Sequence, residues 1–134
     1  MILLDTHALL WWVQGDARLS ATAAGAIQAE RDQAGGQGVL VSAISCWEVA
    51  MLVRRERLAL SLELETWLDT VAAIPSVRLL PLEPRTAVAA TRLPGDFHAD
   101  PADRFLVAQA RQLDVPLLTA DEKIRRYPHV RVLW

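Results

Sequence analysis

Short apolar runs alternate with longer segments of helical period along this chain. Met1-Ile2-Leu3-Leu4, Val39-Leu40-Val41, Val77-Arg78-Leu79-Leu80, Val115-Pro116-Leu117-Leu118 and Val130-Arg131-Val132-Leu133 are short and rich in aliphatic residues, which predicts strands. Between them lie candidate helices. His7–Gln14 carries Leu9, Leu10, Trp12 and Val13 and is broken by Gly15-Asp16; Ala21–Arg31 is rich in alanine, a strong helix former. Gly35–Gly38 is a loop. Ser42 or Ser45 caps a helix running through Trp47, Met51 and Leu52 to about Glu56. A further helix spans Leu62–Ala73 and ends before Pro75. Pro84 suits the first turn of a helix that reaches Leu93 and stops at Pro94-Gly95. Asp100-Pro101 opens a helix through Leu113, and a short one follows Asp121. Strands alternating with helices predict an α/β fold, a central parallel sheet flanked by helices. No repeat, low-complexity tract or linker interrupts the pattern, so residues 1–134 are expected to form one domain.

The placement of four acids gives this pattern chemical content. Asp5 closes the first apolar run and Asp121 follows Leu118, so both emerge at the carboxyl ends of predicted parallel strands, where such sheets place their sites. Glu48 shares a helix face with Ile44 and Leu52, and Asp103 begins a stripe continued by Leu106, Val107 and Ala110. Both therefore point inward. Carboxylates drawn together repel, and an all-oxygen donor set suits a hard divalent cation such as Mg²⁺ or Mn²⁺. Plainer readings stand beside this one. Asp5, Asp100, Asp103 and Asp121 each fit a helix N-terminus, and Glu48 fits a salt-bridged glutamate. Thr6 and Thr119 flank the strand-end acids and fit either orienting roles or ordinary caps.

Net charge is −2 over 134 residues, so no overall basic character advertises a nucleic-acid partner. Arg54, Arg55 and Arg57 cluster, Arg125 and Arg126 follow Asp121, and Arg104 adjoins Asp103. These arginines fit solvated helix ends or phosphate contacts around an acidic centre. The single cysteine, Cys46, excludes an internal disulfide and points to a cytoplasmic setting, with packing as its expected role. Asp5 and His7 interrupt the N-terminal apolar stretch, which excludes a signal peptide or membrane span there. The lack of a Gly-x-x-x-x-Gly-Lys loop argues against an NTPase. Among five tryptophans, Trp12 and Trp47 fit helix stripes and are expected in the core; Trp11, Trp67 and Trp134 are expected to be more open.

Taken together, Asp5-Thr6-His7-Ala8-Leu9-Leu10-Trp11-Trp12, Val41-Ser42-Ala43-Ile44-Ser45-Cys46-Trp47-Glu48, Leu93-Pro94, His98, Asp100-Pro101-Ala102-Asp103-Arg104, Ala108-Gln109-Ala110 and Leu118-Thr119-Ala120-Asp121 resemble, in order and spacing, the PIN-domain ribonucleases of the VapC toxin type. The resemblance runs nearly end to end. It implies a PIN-like α/β/α fold and a Mg²⁺- or Mn²⁺-dependent endoribonuclease, the toxin of a VapBC-type toxin–antitoxin pair. Asp5, Glu48, Asp103 and Asp121 would be its catalytic and metal-binding quartet, with a metal-activated water as nucleophile and 5′-phosphate and 3′-hydroxyl products. Thr6, Asp100, Arg104 and Thr119 would support the quartet or contact substrate, though Asp100 fits a cap better. His7, His98 and His129 need no catalytic role. The implied partners are RNA, a VapB-like antitoxin and a second copy of the chain, with no membrane. The Ala34–Gly38 and Gly95–Ala99 loops are candidate RNA contacts. Two other readings stay open: a different metal-dependent phosphodiesterase or DNA nuclease, and a catalytically inactive PIN-fold binding module.

Overall fold

The computed structural model describes residues 1–134. Five strands, β1 (Ile2–Leu4), β2 (Val39–Ser42), β3 (Val77–Leu80), β4 (Leu117–Leu118) and β5 (Val132–Leu133), form one sheet in the order β3-β2-β1-β4-β5. Every pairing is parallel. Seven helices connect them: α1 (Thr6–Gln14), α2 (Ala21–Arg31), α3 (Ala43–Arg54), α4 (Leu64–Ala72), α5 (Pro84–Ala90), α6 (Pro101–Leu113) and α7 (Glu122–Arg125). The expected α/β architecture is present. Strands β4 and β5 are each two residues long, half of their apolar runs. Pro116 precedes β4, and proline has no N–H to give a ladder; β5 is a two-residue edge strand.

Side-chain alternation divides the core into two layers. Ile2, Leu4, Val39, Val41 and Leu118 face one side of the sheet, against Ala8 and Leu9 of α1, Ile27 of α2 and Trp67 and Val71 of α4. Leu3, Leu40, Leu80 and Leu117 face the other side, against Leu106, Val107 and Ala110 of α6 and Ile124 of α7. The central strands are buried on both faces, which is why they read as unbroken apolar runs.

Helix α3 belongs to both layers. Its Ile44 packs in the second and its Val49 in the first, so it bridges α1 and α6. This position overturns two expectations about tryptophan. Trp47 is 52% exposed rather than buried, because α3 turns Ile44, Ser45 and Val49 inward and leaves the Trp47 side to solvent. Trp67 is only 4% exposed: on strongly amphipathic α4 it shares the buried face with Val71. The Ala34–Gly38 loop is also misplaced as an RNA contact. It leads into β2 from the amino end of the sheet, where Gly38 O accepts from Ile2 N–H. No helix is long and apolar enough to cross a membrane.

Candidate active site

The strand order places a topological switch point between β1 and β4. From β1 the chain moves outward through β2 and β3, then returns to the other side of β1 to form β4. At such a point the connections leave the sheet in opposite directions and open a crevice at the carboxyl ends of the two strands. Asp5 stands at the end of β1, and Thr119-Ala120-Asp121 follow β4. A backbone bond from Asp5 N–H to Leu118 O, 3.0 Å, ties the two ends together. Helix α3 contributes Glu48 and the N-terminus of α6 contributes Asp100 and Asp103. All five carboxylates line one cleft of about 340 Å³, with Thr6, His7, Trp11, Leu106 and Ala120.

Each carboxylate is held by an identifiable neighbour. Asp5 is buried and caps α1, accepting from Ala8 N–H at 2.7 Å through Oδ1. Its Oδ2 accepts a short hydrogen bond from the Thr119 hydroxyl, and Thr119 Oγ1 in turn accepts from Asp121 N–H at 3.0 Å. One fully buried threonine thus links both strand-end acids. The Thr6 hydroxyl donates to Glu48 Oε1 at 2.5 Å and lies 3.0 Å from Ser45 Oγ. Asp121 caps α7, accepting from Lys123 N–H (2.8 Å) and Ile124 N–H (3.2 Å). Asp100 caps α6 as its position suggested, accepting from Ala102 and Asp103 N–H, while also facing the cleft. Capping and lining the cleft are therefore compatible, and the two readings of these acids do not compete.

Asp103 has no arginine or lysine partner. His98 Nε2 lies 3.1 Å from its Oδ2. His98 Nδ1 accepts from Asp100 N–H at 3.4 Å, which leaves Nε2 as the protonated nitrogen facing Asp103. From the sequence His98 needs no catalytic role, and its position two residues before Asp100 already allowed contact with a carboxylate. Arg104 is directed away from the cleft. Its guanidinium donates to the carbonyls of Ala90 (2.8 Å), Phe97 (2.9 Å) and His98 (3.3 Å). It fixes the segment that carries His98 and is not free to grip a phosphate, so of its two expected roles the supporting one matches the contacts.

The electrostatics are strained in one direction. Burial, followed by repulsion from Asp100, Asp121, Glu48 and Asp5, pushes the Asp103 carboxyl up to about 7. Burial also raises Asp5 and Glu48 above the ordinary carboxylate range, against the lowering effect of their threonine hydrogen bonds. The donors fit a divalent cation in chemistry: they are oxygens, mostly carboxylate, whose mutual repulsion a cation would relieve. They are not closed around one point, and no three His, Cys, Asp or Glu side chains form a ready coordination sphere. Binding would exchange some of the hydrogen bonds to Thr119 and Thr6 for contacts to the ion.

Comparison with known proteins agrees with this geometry. The family model described as PIN domain matches residues 2–130. The chain is 36% identical to Ribonuclease VapC22 of Mycobacterium tuberculosis over 130 residues, 97% of this chain and 94% of that protein. In fold it is similar to VapBC2 from Rickettsia felis, solved bound to a DNA fragment from its promoter (TM-score 0.68, 14% identity, 98% of this chain and 97% of that one). It is also similar to Mycobacterium tuberculosis VapC20, described as a sarcin-ricin loop cleaving toxin (TM-score 0.63, 17% identity, 98% and 99% covered). A family match over nearly the whole length, and a relative of this identity across it, establish that the chain belongs to the PIN-domain family.

Proposed function

We propose that the chain is a divalent-metal-dependent endoribonuclease of the VapC type, the toxin of a toxin–antitoxin pair. The observation that carries the reading is the uncompensated cluster of Asp5, Glu48, Asp100, Asp103 and Asp121 on one cleft at the switch point of the sheet. Family membership and the identity to a curated ribonuclease support the activity, and the likeness to toxin–antitoxin structures supports the fold on which such pairs are built. Asp5, Glu48, Asp103 and Asp121 are the candidate catalytic and ligand residues. Mg²⁺ and Mn²⁺ are the candidate cations, chosen by the oxygen donors.

A bound divalent cation supplies Lewis acidity toward water and phosphate oxygen and offsets the charge of the phosphodiester. The chain's own groups prepare that place. Thr119 and the Ala8 N–H hold the Asp5 carboxylate in one orientation. Thr6 does the same for Glu48, and the capping of α6 and α7 fixes the backbones that present Asp103 and Asp121. With its carboxyl pushed up to about 7, Asp103 is partly protonated at neutral pH in the metal-free protein, and a bound cation would displace that proton. His98 Nε2 lies 3.1 Å from Asp103 Oδ2 without the alignment of a hydrogen bond.

An acidic cleft also suits inhibition by a basic segment of a VapB-like antitoxin, since opposite potentials complement each other across an interface. A homodimer and a toxin–antitoxin hetero-oligomer are the proposed assemblies, and a cytoplasmic setting follows from the RNA substrate. The test is cleavage of a mixed RNA pool with Mn²⁺ or Mg²⁺, by wild type beside Asp103→Asn, with and without chelator and with the new 5′ ends sequenced. Chelator-sensitive cleavage by wild type, largely absent in the variant and leaving 5′-phosphates, is expected. Equal cutting by both proteins, or none by either in the presence of metal, would refute the proposal.

A further inference from the structure

Beside the acidic cleft runs a second, smaller groove of about 220 Å³, formed along α3 by Trp47, Met51, Leu52 and Arg55 and closed by the start of α6. The two depressions share Glu48 and Asp100, so they are one continuous surface. Trp47 is the only large aromatic side chain among the exposed hydrophobic residues of the chain. The other tryptophans are engaged. Trp11 lies against His7 and Trp134 with Arg18 over its ring, Arg31 lies over Trp12, and Trp67 is in the core. Trp47 has no ring or guanidinium against it. Arg55, the residue that ends α3 and lines the same groove, is exposed and takes part in no ion pair.

The cleft itself gives a polyanion little reason to stay. Its five carboxylates have no arginine or lysine among them. Affinity for a nucleic-acid strand beyond what a bound cation supplies comes from beside the cleft, and stacking on an aromatic face is a source that acidic neighbours do not cancel. Single-stranded RNA offers unstacked bases to such rings, and an arginine at the rim matches the adjoining phosphate. We propose that the Trp47 groove is a base-stacking subsite for single-stranded RNA, holding a nucleobase next to the phosphate seated over Glu48 and Asp103, with Arg55 at that nucleotide's phosphate. This assignment rests on the proposed ribonuclease activity. It makes Trp47 a determinant of which sequence is cut.

The test measures the binding of a fluorescein-labelled random single-stranded RNA, with Mn²⁺ present, to Asp103→Asn protein with Trp47, Trp47→Ala or Trp47→Tyr. Cleavage-site sequencing follows in the otherwise wild-type proteins. Trp47→Ala is expected to raise Kd and KM by about 5- to 150-fold, the range for one lost stacking contact. It flattens the base preference at one position flanking the cut and leaves kcat nearly unchanged. Trp47→Tyr restores most of the affinity, and sedimentation shows no change in assembly. Unaltered Kd and base preference in Trp47→Ala would overturn the assignment. So would a changed oligomeric state with RNA binding intact, which would make this face a contact between copies. Trp47-dependent RNA binding without cleavage by the wild type would instead refute the nuclease reading and leave the subsite standing.

Discussion

The two ends of the sheet carry depressions of nearly equal size and opposite electrostatic character. At the amino end, Ala110, Arg111, Asp114, Val115, Pro128, His129, Val130 and Arg131 line one of about 350 Å³. Charge there is matched locally: Arg131 pairs with Asp114 at 3.1 Å, and Arg111 donates to the His129 carbonyl. At the carboxyl end, five carboxylates share a cleft with no arginine or lysine among them. Matched charges bind a structure to itself. Unmatched like charges cost stability, and a fold retains them where something from outside is to be bound. On that ground the carboxyl end is the candidate functional end, independently of any resemblance.

The largest expected effect separates the two ends directly. Asp103→Asn should reduce metal-dependent RNA cleavage by on the order of 10²- to 10³-fold, as loss of a group that acts on transition-state charge does. Above pH 7, where Asp103 is ionised, the same replacement should make the metal-free protein more resistant to heat, because it removes one of the repelling charges. Activity assays and thermal melts on one preparation check both. Next in size is Thr119→Val. It removes the donor to Asp5 and leaves the Asp121 N–H without its acceptor, at a cost of about 1–3 kcal/mol in stability. Cleavage should fall about 10- to 100-fold, as for groups that orient ligands. Denaturant unfolding and initial rates measure the two losses separately.

Acidification gives a third, smaller effect. The folded-state Asp103 pKa, about 7, lies above its ordinary value of 3.8, so the folded protein binds this proton more tightly than the unfolded chain. Stability from the neutral carboxyl is fully present below the ordinary value and is lost as pH rises through about 7. The Tm of metal-free protein should therefore rise by a few degrees between pH 7.5 and 5.5, and Mn²⁺ should flatten that slope. Differential scanning calorimetry in the presence of chelator, then of Mn²⁺, decides it. The smallest effect belongs to the matched end. Asp114→Asn removes an exposed pair worth about 0–1 kcal/mol and should leave cleavage unchanged. Asparagine also tolerates the positive φ of 51° at this position.

The parts of this molecule that were legible in the sequence are those set by local pattern. Buried strands such as Val39–Val41 stand out because both faces exclude water, and Ser20, Asp100 and Asp121 mark helix starts by the hydrogen bonds they accept. Asp5 and Asp121 were readable as neighbours once both runs were taken as parallel strands. What stayed hidden depends on which surfaces meet. Helix α3 is apolar around most of its circumference, so its period did not say that Trp47 faces solvent while Ser45 is buried against Thr6. Nor does sequence order show that Arg104 bonds three carbonyls in place of a phosphate, whereas the place of Ala34–Gly38 before a parallel strand already set it at the far end of the sheet.

Calorimetric titration of Mn²⁺ into wild type and Asp103→Asn at pH 7, repeated in two buffers of different ionisation enthalpy, tests the central claim most directly. The account predicts saturable binding to wild type with proton release that depends on Asp103, and much weaker binding without that release in the variant. Equal heats and equal proton counts for both proteins, or no binding to either, would contradict it.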